Sequence, residues 1–70
     1  GPRPANDKPL SRAMVREMQE RLGALGFDTG TPDGVVGPMT RSAIRNYQKS
    51  AGMPPDGFPT SALLEKLRGG

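Results

Sequence analysis

Carboxylates are the side chains of this sequence best suited to acid–base chemistry, because it contains no histidine and no cysteine. Hydrolysis of a glycosidic bond needs two carboxylates roughly 5–10 Å apart, usually one with a raised pKa. Asp33 and Asp56 each precede a glycine, and at such turns an Asp side chain accepts hydrogen bonds from nearby backbone N–H groups. Those bonds lower the pKa, which does not suit a general acid. We therefore predict structural roles for both residues, no catalytic residue and no enzymatic activity in this segment.

The stretch from Asp28 to Gly34 has a superficial likeness to a calcium-binding loop. Such a loop needs oxygen ligands at alternate positions and a glycine at the sixth position. Here Gly30 and Pro32 stand at ligand positions, and Asp33 stands where glycine is required. The sequence also lacks the Cys and His side chains that hold zinc. We predict no metal site and no cofactor.

Arg41, Arg45 and Lys49 recur every four residues, which places them in one stripe along a helix. A stripe of this kind is usually a solvated face. It could also bind carboxylates, because an arginine guanidinium pairs with a carboxylate in bidentate fashion. DNA binding is disfavoured, since a net charge of +3 is low and a ten-residue loop replaces the short turn of a helix-turn-helix. We predict no nucleic-acid partner and keep the other two alternatives.

Gln19 and Gln48 each stand beside a core residue in the second half of a helix. Their amides could bind the amides of a ligand, or they could satisfy backbone groups of the loops that follow. We favour the second interpretation, because a small, loop-rich domain needs partners for its irregular backbone.

Apolar periodicity predicts three helices that position these groups. The first is expected over Ser11–Leu25, with Ser11 as N-cap and Gly26 as a left-handed cap at its end. Its inward face would be formed by Val15, Met18, Leu22 and Leu25.

The second and third helices follow turn-rich loops. The second is expected to begin at Gly37-Pro38 and to end at Gly52, because Pro suits the first helical position and Gly the C-terminal cap. The third is expected to begin at Thr60 or Ser61 and to bury leucines. We predict an all-α fold, a compact orthogonal three-helix bundle with long turn-rich loops.

The composition also sets the domain limits. Residues 1–9 hold three prolines and no apolar periodicity, which predicts a flexible linker or tag remnant. Residues 10–68 are expected to form one domain, small enough to leave little room for a deep cleft. No apolar run approaches the roughly 20 residues of a membrane span. We predict a monomer with no membrane span in this segment.

Two turns echo each other along the chain. Asp33-Gly34 precedes the second helix, and Asp56-Gly57 precedes the third, each followed by Pro and Thr. Aligning Thr40 with Thr60 makes the second copy three residues shorter. Two explanations fit this repetition equally well: an old duplication of a turn–helix unit, or the repeated use of residues that favour turns and helix caps.

The order and spacing of these parts resembles the type 1 peptidoglycan-binding domain. The matching stretch runs from Val15 to Leu67, and it is carried by Val15-x-x-Met18-Gln19-x-x-Leu22-x-x-Leu25-Gly26-Phe27-Asp28, Asp33-Gly34-x-x-Gly37-Pro38-x-Thr40, Ala43-Ile44-x-x-Tyr47-Gln48 and Gly52-Met53-Pro54-x-Asp56-Gly57. The resemblance implies a three-helix accessory module of bacterial envelope proteins that binds the cell-wall polymer non-covalently. The shorter spacing after Asp56 is a departure that puts ligand contacts at that loop in doubt.

The resemblance leads to a functional prediction with one alternative. We expect a non-catalytic module, cell-wall associated in the periplasm or outside the cell, that anchors or targets a linked domain through glycan or stem peptide. The alternative is a protein-interaction or autoregulatory module on the same scaffold. The propeptide domains of matrix metalloproteinases resemble this fold, but the cysteine that they use is absent here. If the first two helices pack with the two loops adjoining, we expect the ligand-binding groove between them, with the candidate residues Asp28, Thr29, Arg41, Arg45 and Tyr47.

Overall fold

The computed structural model describes residues 10–69, which fold into three helices. They are α1 (Arg12–Ala24), α2 (Pro38–Ser50) and α3 (Ser61–Leu67), and no strand occurs among the described residues. The bundle measures 29 × 25 × 24 Å along its principal axes. The predicted all-α, compact three-helix fold is therefore confirmed, while the predicted linker of residues 1–9 lies outside the described residues.

Local signals set the limits of α1. The Ser11 hydroxyl oxygen accepts a hydrogen bond from the Met14 amide at 3.2 Å, which satisfies one of the free N–H groups at the helix start. At the other end Gly26 has a φ of 94°, and the Phe27 amide donates to the Leu22 carbonyl at 2.9 Å. This is a Schellman motif. The prediction that Leu25 faces inward is wrong: it is the C-cap residue and 56% exposed, because the helix and its buried stripe end before it.

The second helix ends in the same way, and its start differs from that of α3. Gly52 has a φ of 72°, and the Met53 amide donates to the Gln48 carbonyl at 2.8 Å. The N-cap of α2 is Gly37, which offers no side chain to the helix. The N-cap of α3 is Thr60, whose hydroxyl oxygen accepts from the Leu63 amide at 3.1 Å.

The core lies where the three helices meet. Its fully buried members come from every helix: Met18, Leu22, Ala43, Ile44, Leu63 and Leu64. The rings of Phe27 and Tyr47 pack edge to face at its margin, with centroids 5.8 Å apart. Full burial of one large aliphatic side chain contributes about 1.5–3 kcal/mol, so these few residues are a main source of stability in so small a domain.

An ion-pair cluster on the surface joins the middle of α1 to the C-terminal end of α3. The Arg68 guanidinium donates two hydrogen bonds to the Glu17 carboxylate, both 2.7 Å long, and Arg21 donates a third. The bonds from Arg68 and then Arg21 lower the pKa of Glu17 from 4.5 to about 2. The same pair raises the pKa of Arg68. Bidentate geometry of this kind fixes the C-terminal end of α3 against α1.

No helix within residues 10–69 is both long enough and apolar enough to cross a membrane.

Candidate functional site

A buried glutamine holds the first loop (residues 25–37) in place. Gln19 is 1% exposed, and its side-chain oxygen accepts a hydrogen bond from the Gly34 amide at 2.8 Å. Its amide nitrogen donates to the Val35 carbonyl at 3.0 Å and to the Thr40 hydroxyl at 2.9 Å. Asp33 Oδ1 lies 3.4 Å from the same nitrogen. One side chain thus ties the Asp33-Gly34 turn to both α1 and α2.

A second glutamine does the same for the second loop (residues 51–60). The Gln48 oxygen accepts from the Gly57 amide at 2.9 Å, and its nitrogen donates to Asp56 Oδ1 at 2.8 Å. The prediction that both glutamines satisfy loop backbone is therefore confirmed. We call each arrangement a Gln–Asp-Gly clamp.

The two clamps have the same position relative to the helix that follows, which corrects the alignment made from the sequence. Asp33 comes four residues before the N-cap Gly37, and Asp56 comes four residues before the N-cap Thr60. Thr60 therefore corresponds to Gly37, whereas Thr40 lies inside α2 and bonds to Gln19. The expected three-residue shortening after Asp56 is wrong, because it matched two threonines with different structural roles.

Both clamp carboxylates are committed to the backbone. Asp33 Oδ1 accepts from the Val35 amide at 2.9 Å, and Asp56 Oδ1 accepts from the Phe58 amide at 3.0 Å. These backbone bonds, assisted by the glutamine amides, hold the pKa of each carboxyl below its ordinary value of 3.8. Both are ionised at neutral pH, so neither supplies the proton that a glycosidase needs. Their predicted structural role is confirmed.

Two of the five candidate ligand residues lie in the first loop. Asp28 is exposed, and its Oδ1 accepts from the Gly30 amide at 2.9 Å. Thr29 is 7% exposed, and its hydroxyl donates to the Gln19 carbonyl at 3.4 Å. Tyr47, a third candidate, is half-buried against Phe27. All three have a structural use in addition to any ligand contact.

The other two candidates, Arg41 and Arg45, lie at the second loop. A Cβ atom on Gly57 would come within 3.1 Å of Arg45 Cγ and 3.4 Å of the Arg41 carbonyl oxygen, so the loop backbone lies against this side of α2. At about 100° per residue, Arg41 lies about 160° and Arg45 about 120° around α2 from Met39. Because Met39 contacts the first loop at Gly30, the arginines and Met39 flank α2 on opposite sides. The five candidates are therefore divided between two surfaces and do not line one groove.

The surface at the first loop is a cleft of about 280 Å³ between that loop and the start of α2. Its floor is polar and buried, and consists of Gln19, Thr29 and Thr40. Its rim carries two large apolar side chains, Val35 and Met39, which are 54% and 50% exposed. Sequence reasoning missed both. The sequence signal for both was an apolar residue outside the inner-face pattern of the helices. Val35 stands within a Gly-rich loop, and Met39 stands in the first turn of α2.

The surface at the second loop carries the basic edge, defined as Arg41, Arg45 and Lys49. All three are exposed, α2 contains no acidic residue, and none of the three forms an ion pair with any of residues 10–69. The basic residues of α1 differ. Arg16 pairs with Glu20 at 3.7 Å, Arg21 pairs with Glu17 at 2.7 Å, and Arg12 donates to the Asp33 carbonyl at 3.0 Å. Within residues 10–69, Arg16 and Arg21 of α1 are thus paired with carboxylates, whereas no basic residue of α2 is.

Comparison with known proteins gives a match over nearly all of the described fold. The family model described as "Putative peptidoglycan binding domain" matches residues 11–67. The spore cortex-lytic enzyme of Bacillus cereus is 51% identical over 53 residues, which cover 76% of this chain and 20% of that protein. The "Putative OxPP cycle protein OpcA" of Synechococcus elongatus is 48% identical over 52 residues, which cover 74% of this chain and 12% of that protein.

A solved structure has the same fold. SltB3 from Pseudomonas aeruginosa, crystallised in complex with NAG-anhNAM-pentapeptide, superposes with a TM-score of 0.90 and is 50% identical. The superposition covers 97% of this chain and 18% of that one. The chain therefore spans a fifth or less of the length of each of these proteins.

Proposed function

Since the chain belongs to the peptidoglycan binding domain family, we propose that it is a non-catalytic module that anchors a larger bacterial envelope protein to the cell wall. The family associates the chain with the bacterial wall, and the relatives that carry the domain are much longer than it is. The anchored protein, and its place in the periplasm or outside the cell, belong to the proposal.

The observation that carries the proposal is the uncompensated basic edge on α2. Stem peptides of peptidoglycan carry carboxylates, and arginine pairs with a carboxylate through two parallel hydrogen bonds. Arg41 and Arg45 stand one turn apart on the same side of the helix. Each is exposed and has no anionic partner within residues 10–69. We assign the stem-peptide contact to these two residues.

The rigidity of the adjoining loop supports the same assignment. The stem of Arg45 lies against Gly57, whose amide is bonded to the buried Gln48. A side chain restrained in this way loses less conformational freedom when a ligand binds. Of the other predicted ligand residues, Asp28 and Thr29 remain proposed contacts at the first loop, and Tyr47 remains a proposed contact between the two surfaces.

Weak contacts with the polymer are sufficient for a tethering function, because they can be repeated along the polymer. An exposed ion pair contributes about 1 kcal/mol or less, so two arginines alone give low affinity. Linkage to another domain raises the effective concentration of each module on a repeating polymer. Two committed aspartates with lowered pKa values support a module that binds without cleaving.

One alternative function has a specific observation in its favour. The name of the cyanobacterial relative refers to the OxPP cycle and not to the cell wall. The same basic edge could therefore dock on an acidic surface of a protein partner or of the linked domain, as a protein-interaction or autoregulatory module.

The proposal is tested by co-sedimentation of the domain with purified sacculi across a salt series. We expect the Arg41→Ala/Arg45→Ala variant to bind about tenfold more weakly than the wild type, because it loses the charge-assisted bonds. The matched control is Arg16→Ala/Lys66→Ala, which removes the same charge from α1 and α3 and should stay within twofold of the wild type. A wild-type domain that stays in the supernatant at every salt concentration overturns the proposal. Equal losses of sacculus binding in the two variants would mean that the interaction is a non-specific electrostatic attraction.

A further inference from the structure

The cleft at the first loop has no part in the contact assigned to the basic edge. It lies on the opposite flank of α2, and it is formed by the loop backbone, the start of α2 and the buried floor of Gln19, Thr29 and Thr40. We propose that this cleft is a second subsite, which takes an uncharged N-acetylated sugar of the glycan strand. The inference rests on the proposed wall-binding function and adds the sugar as a separate contact.

The size and the rim of the cleft fit a single sugar ring. A volume of about 280 Å³ is close to the lower end of the range for small-molecule sites. Val35 and Met39 leave about half of their surface exposed at the rim. The C–H face of a sugar ring and the methyl of an acetamido group can cover these side chains.

The charge of the cleft selects against the stem peptide. No Lys or Arg side chain of residues 10–69 lines it, and Asp33, the one ionisable residue of its described lining, carries a negative charge at neutral pH. A carboxylate ligand would meet the negative charge of Asp33, and the neighbouring Arg12 guanidinium already donates to the Asp33 carbonyl at 3.0 Å. Sugar hydroxyls can instead donate to Asp33 Oδ2, because the clamp bonds use only Oδ1. The two flanks of α2 therefore suit different parts of one polymer.

The cleft is held in shape before any ligand arrives. The Gln19 side-chain amide donates to the Thr40 hydroxyl, and the Thr29 hydroxyl donates to the Gln19 backbone carbonyl. No buried side-chain N or O in the described residues lacks a hydrogen-bond partner. Gly30 has a φ of 74°, and a Cβ atom there would lie 3.3 Å from Met39 Sδ, so the loop and the rim are in close contact. A pre-formed site of this kind binds with a small entropic cost.

The test is an NMR titration of the ¹⁵N-labelled 70-residue chain with tri-N-acetylchitotriose, an uncharged soluble probe. We expect shifts concentrated at the amides of Thr31, Val35 and Met39, with a dissociation constant that changes less than twofold between low and high salt. Met39→Ala should weaken binding by roughly five- to tenfold, because it removes one apolar wall from the ring. Leu25→Ala is the matched control, since Leu25 is equally exposed but lies outside the cleft.

The outcomes separate this inference from the proposed function. If the sugar causes no shift at millimolar concentration while the domain still pellets with sacculi, the sugar subsite is refuted and wall binding stands. Shifts confined to Arg41 and Arg45 would place the sugar at the basic edge and also refute the subsite. If the domain fails to pellet but the sugar still binds in the cleft, the anchoring proposal falls and the subsite stands.

Discussion

The first loop and the second loop are held by the same clamp, but they present different surfaces. In each, a buried glutamine accepts a bond from the glycine amide of an Asp-Gly turn that comes four residues before the next N-cap. The first loop opens into a cleft with a polar floor, an apolar rim and the Asp33 carboxylate, and the second lies against a basic edge. The clamp therefore fixes where each loop runs, while residues that the clamp does not use determine what each loop can bind.

The two clamps also differ in strength. Within residues 10–69, Gln19 bonds the first loop and, through Thr40, α2, whereas Gln48 bonds only the Asp56-Gly57 turn. The longer first loop thus has the larger network, as expected if more irregular backbone needs more internal partners. This difference can be tested directly by changing equivalent residues in the two loops.

Replacing the glutamines should give the largest effects. Gln19→Ala leaves the Gly34 amide and the Val35 carbonyl without their partner and opens a cavity, so we expect a loss of about 3–5 kcal/mol. Gln48→Ala breaks two bonds and should cost about 2–3 kcal/mol. Urea unfolding at 25 °C followed by circular dichroism measures both values. A Gln48→Ala variant as unstable as Gln19→Ala would contradict the ranking of the two clamps.

Replacing the clamp glycines should give intermediate effects in the same order. Gly34 and Gly57 have φ values of 82° and 75°, so alanine is strained at both, by about 1–2 kcal/mol. A Cβ atom at Gly34 would also come within 2.7 Å of the Arg12 carbonyl oxygen, which belongs to the α1 backbone. At Gly57 the nearest atoms belong to the Arg45 side chain, 3.1 Å away, and not to the helix backbone.

We therefore expect Gly34→Ala to cost about 3 kcal/mol and Gly57→Ala about 1–2 kcal/mol, again from urea unfolding. Gly57→Ala should in addition displace Arg45 and weaken binding to sacculi. The reverse order of stabilities would mean that the second loop, and not the first, is the more tightly packed.

Acid should weaken both clamps to a small and similar degree. The pKa of Asp33 and that of Asp56 lie below 3.8 in the native state, mainly because of the bonds from the Val35 and Phe58 amides. A carboxyl with a lowered native pKa contributes stability that is complete above its unfolded-state pKa and is lost as the pH falls through the native value. NMR titration of the two carboxyl carbons should give both midpoints below 3.8. Asp33→Asn should remove its share of the acid sensitivity, and a midpoint above 3.8 at either residue would contradict the clamp geometry.

The helices could be predicted from the sequence because their signals are local. Ser11, Gly26 and Gly52 have the cap roles that their residue types indicate, and α1 ends within one residue of each expected limit. The structural roles of the glutamines and of the clamp aspartates were also predictable, since each follows from the hydrogen bonds that such side chains make near a turn.

The arrangement of the candidate site could not be predicted in the same way. Which flank of α2 meets which loop depends on how the three helices pack, so Arg41 and Arg45 could not be separated from Thr29 by spacing alone. The two threonines after the Asp-Gly turns look alike in sequence, but one caps α3 and the other is buried against Gln19. Val35 and Met39 were missed because their role depends on a cleft that forms only in the folded chain.

The central claim, that the basic edge binds stem-peptide carboxylates of the wall, is tested most directly with two forms of one polymer. The wild-type domain and the Arg41→Ala/Arg45→Ala variant are sedimented with intact sacculi and with sacculi whose stem peptides have been removed by an amidase. We predict that removing the peptides lowers wild-type binding about tenfold, to the level of the variant, and leaves the variant unchanged. Equal binding of the wild type to both forms, or no binding to either, would contradict the account.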